Sequence, residues 1–223
     1  MTLALDHLVL AARTLDEGVA WCEATLGLRP EGGGQHLFMG THNRVFSIAS
    51  PAFPRAYFEI IAIDPSLPAP KRARWFGLGD LALQRALVQG PQLVSWVARC
   101  DDIAAVHASM LAAGIDCGAV EPAERATPRG VLRWKISLRA DGRRVLGGAA
   151  PKLIEWGEVH PTDSMPASGI ELKTMRLGGW PEALAPLLPR QIECDASPGA
   201  PPISVVFSAP RGLVPLHSTL NEA

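Results

Sequence analysis

A single carboxylate interrupts the strongly apolar run Ala56-Tyr57-Phe58-Glu59-Ile60-Ile61-Ala62-Ile63. A second carboxylate has a comparable place in Lys152-Leu153-Ile154-Glu155-Trp156, and an imidazole interrupts Leu5-Asp6-His7-Leu8-Val9-Leu10. An ionised carboxylate is costly to bury unless it is paired, hydrogen-bonded or bound to a metal. A histidine and carboxylates that meet in one cavity would therefore make a site for a divalent ion.

The segments around these runs predict a repeated order of secondary structure. In the first half we predict the order strand, helix, strand, strand, strand. The first strand is placed at 3–12, the helix at Leu15–Leu26, a flexible link at Gly32-Gly33-Gly34 and the last two strands at Asn43–Ile48 and Tyr57–Ile63, with no bounds assigned to the second strand. A helix at Leu78–Gln89 then leads to a second set, with a strand at Leu93–Arg99, a helix at Ile103–Ala113, a short strand at Ile115 and strands at Val131–Leu138 and Leu153–Gly157. The two halves share the order βαβββ, which indicates an internal structural repeat.

The tail of the chain predicts part of a third unit. It contains strands at Ile170–Leu177, Ile203–Phe207 and Val214–His217 and a helix-like stretch at Pro181–Leu188. We expect this tail to cover an open sheet edge or to extend the subunit, since exposed edges invite unwanted pairing. The predicted segments are a first module at 1–66, a linker with a helix at 67–91, a second module at 92–161 and a partial third module at 162–223.

The composition excludes several classes of function. A formal net charge of −1 gives no electrostatic reason to expect nucleic acid or an anionic membrane as a partner. No apolar run approaches the length of about 18 residues that a membrane helix needs, and no secretory signal is recognisable. The four cysteines lack paired or zinc-knuckle spacing. We therefore expect a cytoplasmic protein with a small-molecule partner, acting alone or as a homodimer.

Strand alternation predicts which side chains share a face. Leu5, His7 and Val9 fall on one face of the first strand, with Asp6 on the other. Pairing of the first and fourth strands would bring His7 and Glu59 together. Aligning the two halves places Glu155 where Glu59 stands, and Ser95 about where His7 stands.

This arrangement resembles the vicinal oxygen chelate (glyoxalase/bleomycin resistance/dioxygenase) superfamily, and more closely its glyoxalase-like domain proteins. The stretches that carry the resemblance are Leu5-Asp6-His7-Leu8-Val9, Gly33-Gly34-Gln35-His36, Gly40-Thr41-His42-Asn43-Arg44, Tyr57-Phe58-Glu59-Ile60-Ile61, Arg74-Trp75-Phe76-Gly77-Leu78, Gly147–Gly157 and His160-Pro161. The resemblance implies an α+β fold in which paired βαβββ modules form an open, barrel-like sheet around a central cavity, with the tail as a partial third module.

The resemblance also implies a divalent metal ion, with Zn, Ni, Fe, Mn and Co not distinguished. By position, His7, Glu59 and Glu155 match three of four ligand positions of glyoxalase-type members. The fourth falls on Ser95, a poor metal ligand that we place in the substrate-binding set. Glu59 or Glu155 would move the proton, because a carboxylate beside a metal and apolar walls can be tuned as a base. As an alternative, Glu59 could form a buried ion pair with an arginine such as Arg44.

The glycine-rich segment 32–44 is predicted to carry substrate recognition. His36 and His42 either line the cavity or lie on an exposed loop. Asn43 offers a donor and an acceptor, or serves only the backbone of a turn. Arg44 could receive a substrate carboxylate or form a surface salt bridge.

Three functions follow as expectations. The first is a metal-dependent lyase or isomerase that acts on a small oxygen-rich molecule. The second is a metal-free protein of the same fold that binds or sequesters a small molecule. The third is an oligomeric scaffold with an inactive pocket, because fold resemblance alone does not establish activity.

Overall fold

The computed structural model describes residues 3–127 and 130–219; the ends of the predicted first and third modules, 1–2 and 220–223, lie outside this part. In it, twelve strands form two sheets. The strands of the larger sheet are β1 (Ala4–Ala11), β2 (Gly32–His36), β3 (Thr41–Ser47), β4 (Tyr57–Ile63), β5 (Gln92–Arg99), β6 (Ala119–Thr127), β7 (Gly130–Leu138) and β8 (Lys152–Trp156). The smaller sheet contains β9 (Glu171–Gly178), β10 (Ile192–Asp195), β11 (Ile203–Ala209) and β12 (Gly212–His217). The α-helices are α1 (Leu15–Leu26), α2 (Leu81–Leu87) and α3 (Ile103–Ala112).

The larger sheet consists of two modules of the same topology. Its strand order is β2-β3-β4-β1-β5-β8-β7-β6, and it curves into a nearly closed surface. The first strand of each module pairs in parallel with the last, β1 with β4 and β5 with β8, while β1 and β5 pair antiparallel and join the modules. The predicted fold of paired βαβββ modules around a cavity is confirmed.

The helices begin and end at residues suited to those positions. The side chain of Thr14 accepts a hydrogen bond from the backbone N–H of Glu17 at the start of α1, and Gly27 ends this helix in the left-handed conformation. Asp102 caps α3 in the same way, by accepting from the backbone N–H of Ala105. Both helices therefore lie where the sequence predicts them.

Two hydrophobic cores lie on the two faces of the larger sheet. One contains the buried faces of α1 and α3 together with much of the smaller sheet, for example Phe58 packed edge-on against Phe207. The other lies on the cavity face and includes Trp75 and Phe76 from the segment between the modules. The cavity face is thus partly filled by apolar side chains, and the rest of it stays open as a cavity.

The tail forms the smaller sheet, in the order β10-β9-β11-β12. It packs on the first module, and the backbone N–H of Leu172 donates to the carbonyl of Ile48. Its pairing differs from that of the two modules, because its first strand, β9, pairs in parallel with β10 and not with its last strand. The stretch predicted as helix-like is a 3₁₀ helix at Glu182–Leu187, and β10 was not predicted.

Three local predictions are wrong. The strand expected at Ile115 is β6, which begins four residues later at Ala119 and is nine residues long. The helix expected at Leu78–Gln89 is limited to α2. Gly32-Gly33-Gly34 is no flexible link but belongs to β2. A side chain at Gly33 would collide with the backbone of Asn43, since an added Cβ would lie 2.0 Å from its carbonyl oxygen.

No helix within residues 3–127 and 130–219 is both long and apolar enough to cross a membrane.

Candidate functional site

The parallel pairing of β1 and β4 brings His7 and Glu59 together. The register places His7 opposite Tyr57 and Val9 opposite Glu59. The side chains of His7, Tyr57, Val9 and Glu59 are all buried. Nε2 of His7 lies 3.5 Å from Oε2 of Glu59. The imidazole also stacks on the ring of Tyr57, with centroids 4.4 Å apart.

A β-bulge adds Asp6 to this pair. The register of β1 against β5 passes from Leu5 to His7 while the partner strand advances by one residue, which leaves Asp6 unpaired. Oδ1 of Asp6 lies 2.7 Å from Nδ1 of His7. The sequence placed Asp6 opposite His7 and Leu5 beside it; the bulge reverses both assignments, and Leu5 packs in the core with Leu8.

Asp6 is the centre of a buried polar cluster. Its Oδ2 accepts a hydrogen bond of 2.9 Å from Nε1 of Trp156 and lies 2.9 Å from Nε2 of His160. The Nδ1 atom of His160 accepts from the backbone N–H of Thr162, so Nε2 is the nitrogen that donates to Asp6 in the neutral ring. Asp6 therefore accepts from two elements of the second half of the chain while it holds His7.

Asn43 fixes Glu59 from the other side. Its Nδ2 donates to Oε1 of Glu59 at 2.6 Å, and its Oδ1 accepts from the backbone N–H of Gly34 at 2.9 Å. Nη1 of Arg125, from β6 of the second module, lies 3.5 Å from the same Oδ1. The alternative ion pair between Glu59 and Arg44 is absent in the described chain, where Arg44 donates to the carbonyl of Asn43.

These groups line a cavity of about 500 Å³, the main cavity. This volume lies in the range of small-molecule sites. Its polar groups include His7, His36, Asn43, Glu59 and Arg125, and its apolar wall includes Trp75, Phe76, Leu132, Trp134, Ile136, Ile154 and Trp156. The site can thus hold a small molecule with a polar and an apolar part.

The histidines and arginine of segment 32–44 divide between two faces of the sheet. His36 is buried on the main cavity, where Trp75 meets its ring edge-on. Burial lowers the pKa of His36 to about 4, so this ring is neutral at ordinary pH. His42 and Arg44 do not line the main cavity, because they alternate with Asn43 along β3; Nδ1 of His42 lies 3.5 Å from Asp64.

Glu155 is not brought to His7 and Glu59. Its Oε1 accepts from Nζ of Lys135 at 2.6 Å, and its Oε2 accepts from the backbone N–H of Ile103 at the start of α3 at 2.9 Å. The main cavity is lined without it. The structure therefore does not support Glu155 beside Glu59 as a base or a shared metal ligand.

The strand register gives the reason. The pairs His7–Val97 and Val9–Ser95 make Val97 the counterpart of Val9 and Ser95 that of His7. Val9 lies opposite Glu59, and Val97 lies opposite Lys152. The true counterpart of Glu59 is therefore Lys152, three residues before Glu155.

Ser95 and Lys152 also lie outside the main cavity. Ser95 is buried and its hydroxyl donates to the carbonyl of Trp96. It shares a small separate pocket with Lys152 and Cys117. Ser95 therefore cannot contact a molecule bound between His7 and Glu59.

The two carboxylates keep His7 charged. Burial alone would lower the pKa of His7, but the hydrogen bonds with Asp6 and Glu59 outweigh it and raise the pKa to about 9. Burial would raise the pKa values of Asp6 and Glu59, yet their contacts with His7, and for Asp6 also with His160, lower both below the ordinary range. Burial raises the pKa of Tyr57 well above its usual value, and the charges of Asp6 and Glu59 raise it further.

The three predicted metal ligands do not form one site. In the described residues no group of three or more His, Cys, Asp or Glu side chains is arranged to hold a metal ion. His7 and Glu59 supply two donors, and Glu155 is held at the start of α3. The predicted ligand set of His7, Glu59 and Glu155 is therefore not brought together around one point.

Several site residues were missed at the sequence level. Asp6, Tyr57 and Trp156 lie in or beside the quoted strands, but the bulge and the stacking give no sequence signal. Arg125 and Asn43 are 82 positions apart, and His160 and Asp6 are 154 apart. Only the three-dimensional pairing of the modules joins them.

The chain belongs to the glyoxalase-like domain family, which matches residues 5–192. A hypothetical protein from Staphylococcus aureus is 15% identical, with 97% of this chain and 86% of that chain covered and a TM-score of 0.54. A variant of methylmalonyl-CoA epimerase from Streptomyces coelicolor, in complex with 2-nitronate-propionyl-CoA, is 19% identical, with 71% of this chain and 99% of that chain covered and a TM-score of 0.43. At these identities the similarity concerns the fold. Comparison with curated protein sequences gives no significant match.

Proposed function

We propose that this protein is a lyase or isomerase that moves a proton on a small oxygen-rich molecule. One observation carries the proposal. The buried carboxylate of Glu59 lines the main cavity, and Oε2 lies 3.5 Å from the imidazole of His7. A fixed carboxylate at an apolar cavity is a suitable group to take a proton from a carbon next to a carbonyl.

His7 supplies the complementary charge. Since its pKa is raised to about 9, the ring is an imidazolium at neutral pH. A fixed positive charge stabilises the negative charge that develops on the carbonyl oxygen when the neighbouring proton leaves. Asp6 positions the ring from Nδ1, and Asn43 positions Glu59. The pair is therefore set in place before a substrate binds.

The proton balance needs no oxidant or reductant. Glu59 takes a proton from carbon, and the electron pair of that C–H bond moves toward the carbonyl oxygen. In an isomerase, Glu59 returns the proton, from the face on which it took it, to a neighbouring atom of the same molecule. In a lyase, the same electron pair expels a leaving group, which receives the proton.

A divalent ion stays a prediction of the family resemblance. His7 could join Glu59 as a ligand to it only after losing its proton, and the remaining positions would be left to water or substrate oxygens. When bound, such an ion would polarise the carbonyl oxygen. Removal of metal tests this prediction separately from the proton transfer by Glu59.

The rival function is a binding protein without turnover. It is favoured by the fact that His7 and Glu59 already satisfy each other's charge in the absence of a ligand. A cavity with a predominantly apolar wall could then serve to sequester a molecule.

Exchange of carbon-bound protons with solvent separates these functions. The protein is incubated in deuterated buffer with pyruvate, phenylpyruvate and their primary amides, and loss of the proton signal next to the carbonyl is followed by NMR. We expect exchange faster than in buffer alone, with and without prior chelation. Loss on chelation and recovery with one added divalent ion would support the metal. Binding without faster exchange would support the rival function, a binding protein. The absence of both binding and exchange would support an inactive pocket.

A further inference from the structure

Arg125 lies on the wall of the main cavity without a carboxylate partner. Throughout residues 3–127 and 130–219, no Asp or Glu oxygen lies within ion-pair distance of its guanidinium; its hydrogen bond goes to Oδ1 of Asn43 at 3.5 Å. The carboxylates of the same strand are already used. Glu121 is paired with Arg72, and Glu124 with Arg133. The main cavity thus contains a half-buried cation that, among the described residues, has no carboxylate within ion-pair distance.

Strand β2, at the opposite edge of the larger sheet from β6, leaves room for this side chain at Gly34. An added Cβ on Gly34 would lie 2.9 Å from Nη1 of Arg125 and 3.3 Å from Cζ. The φ angle of Gly34 is one that other residues also adopt, so backbone conformation does not require glycine here. The lack of a side chain at Gly34 instead leaves room for the guanidinium of Arg125. The backbone N–H of Gly34 holds Oδ1 of Asn43, the atom that Arg125 contacts. Gly34, Asn43 and Arg125 therefore form one packed unit at the cavity.

Asn43 also sets the spacing between Arg125 and Glu59. Its Oδ1 faces Arg125 and its Nδ2 donates to Glu59 at 2.6 Å. The amide group of Asn43 therefore separates the guanidinium of Arg125 from the proposed base, Glu59. A keto acid whose carboxylate is held by Arg125 would direct its keto group, and the C–H-bearing carbon beyond it, toward Glu59. In a hydroxy acid the carbon next to the carboxylate carries the C–H bond.

We propose that Arg125 binds the carboxylate of the substrate and thereby selects α-keto or α-hydroxy acids that carry an apolar side chain. A guanidinium group can donate two parallel hydrogen bonds to a carboxylate, which fixes the orientation of the acid and neutralises its charge. The apolar wall of Leu132, Trp134 and Ile136 then faces the side chain of the acid. This inference rests on the proposed function and names its substrate class.

Calorimetric binding of matched acids and amides tests it. The probes are pyruvate, phenylpyruvate and their primary amides, which keep the shape and lose the charge. We expect the wild type to bind phenylpyruvate about tenfold or more tightly than its amide, in line with a charge-assisted pair. Arg125→Gln should remove this preference, with the larger loss of affinity falling on the acid. The control Arg133→Gln, on the neighbouring strand outside the cavity, should keep it.

A second variant covers loss of folding. Arg125→Lys keeps the charge and should retain part of the acid preference, with circular dichroism as the check on folding. The proposal is wrong when no acid binds the wild type more tightly than its amide, or when Arg125→Gln folds and keeps the preference. Preferential binding of the acid without proton exchange would refute the proposed function but not the role of Arg125. Equal exchange of the acid and the amide would refute the role of Arg125 but not the proposed function.

Discussion

Oδ1 of Asp6 lies 2.7 Å from Nδ1 of His7, although the two residues are consecutive in a strand whose side chains should alternate between faces. The bulge at Asp6 makes the contact possible and directs the opposite nitrogen of the ring toward Glu59. Asp6 thus determines both the charge and the direction of the imidazole. The consequence is a buried imidazolium between two carboxylates.

Asp6→Asn should lower the pKa of His7 from about 9, because the amide removes one of the two negative charges that hold the proton. The pKa is measured by NMR titration of the imidazole nitrogens. Asp116→Asn, on an exposed carboxylate paired with Arg139, is the control and should change nothing. A pKa of His7 that stays the same in Asp6→Asn would show that Glu59 alone sets it.

The contribution of His7 to stability should depend on pH. Its pKa is raised by folding from 6.5 to about 9, so the contribution is full below pH 6.5 and disappears above about pH 9. This pKa shift contributes on the order of 3 kcal/mol to the free energy of unfolding at low pH. Urea denaturation of wild type and His7→Gln near pH 6 and near pH 10 measures it. We expect the difference between the two proteins to shrink at the higher pH; a constant difference would contradict the assigned shift.

Gly34→Ala should weaken binding of the acid probe, because the new methyl group occupies the space of the Arg125 guanidinium. Since the backbone conformation suits alanine, the free energy of unfolding should change by about 1 kcal/mol or less. Gly79→Ala is the matched control, as an added Cβ there meets nothing within 4 Å. Unchanged acid affinity in Gly34→Ala would show that Arg125 can be displaced without consequence.

Glu155→Gln should reduce stability and leave ligand binding intact. The substitution removes the charge of an ion pair with exposed Lys135 and weakens the hydrogen bond to the start of α3, together about 1 kcal/mol. Chemical denaturation and calorimetry measure the two properties. A loss of ligand affinity with unchanged stability would place Glu155 back in the functional site.

Element order and strand periodicity predicted much of the fold and part of the candidate site. Element order gave the paired modules, and strand periodicity gave the meeting of His7 with Glu59. It did not separate Asn43 from His42 and Arg44, which were assigned together to one recognition segment. Strand periodicity gave wrong assignments at the bulge in β1 and in the alignment of the two modules. The bulge at Asp6 reverses the faces before His7, and the register makes Lys152, not Glu155, the counterpart of Glu59.

Long-range contacts could not be predicted for a different reason. The role of Arg125 depends on how β6 of one module approaches β2 and β3 of the other, and no periodicity within either strand encodes this approach. The same holds for His160, which follows the second module and contacts Asp6 near the start of the chain. The proposed role of Arg125 as an anion ligand depends on this packing, whereas Arg44 is kept out of the main cavity by its alternation with Asn43 along β3.

Proton exchange in Glu59→Gln is the most direct test of the account. Glutamine keeps the size of the side chain and a hydrogen bond to Asn43 but cannot accept the proton at neutral pH. The account predicts that Glu59→Gln lowers the exchange rate of phenylpyruvate by about a hundredfold or more, while Glu155→Gln exchanges at the wild-type rate. Wild-type exchange in folded Glu59→Gln, or an equal loss in both variants, would contradict it.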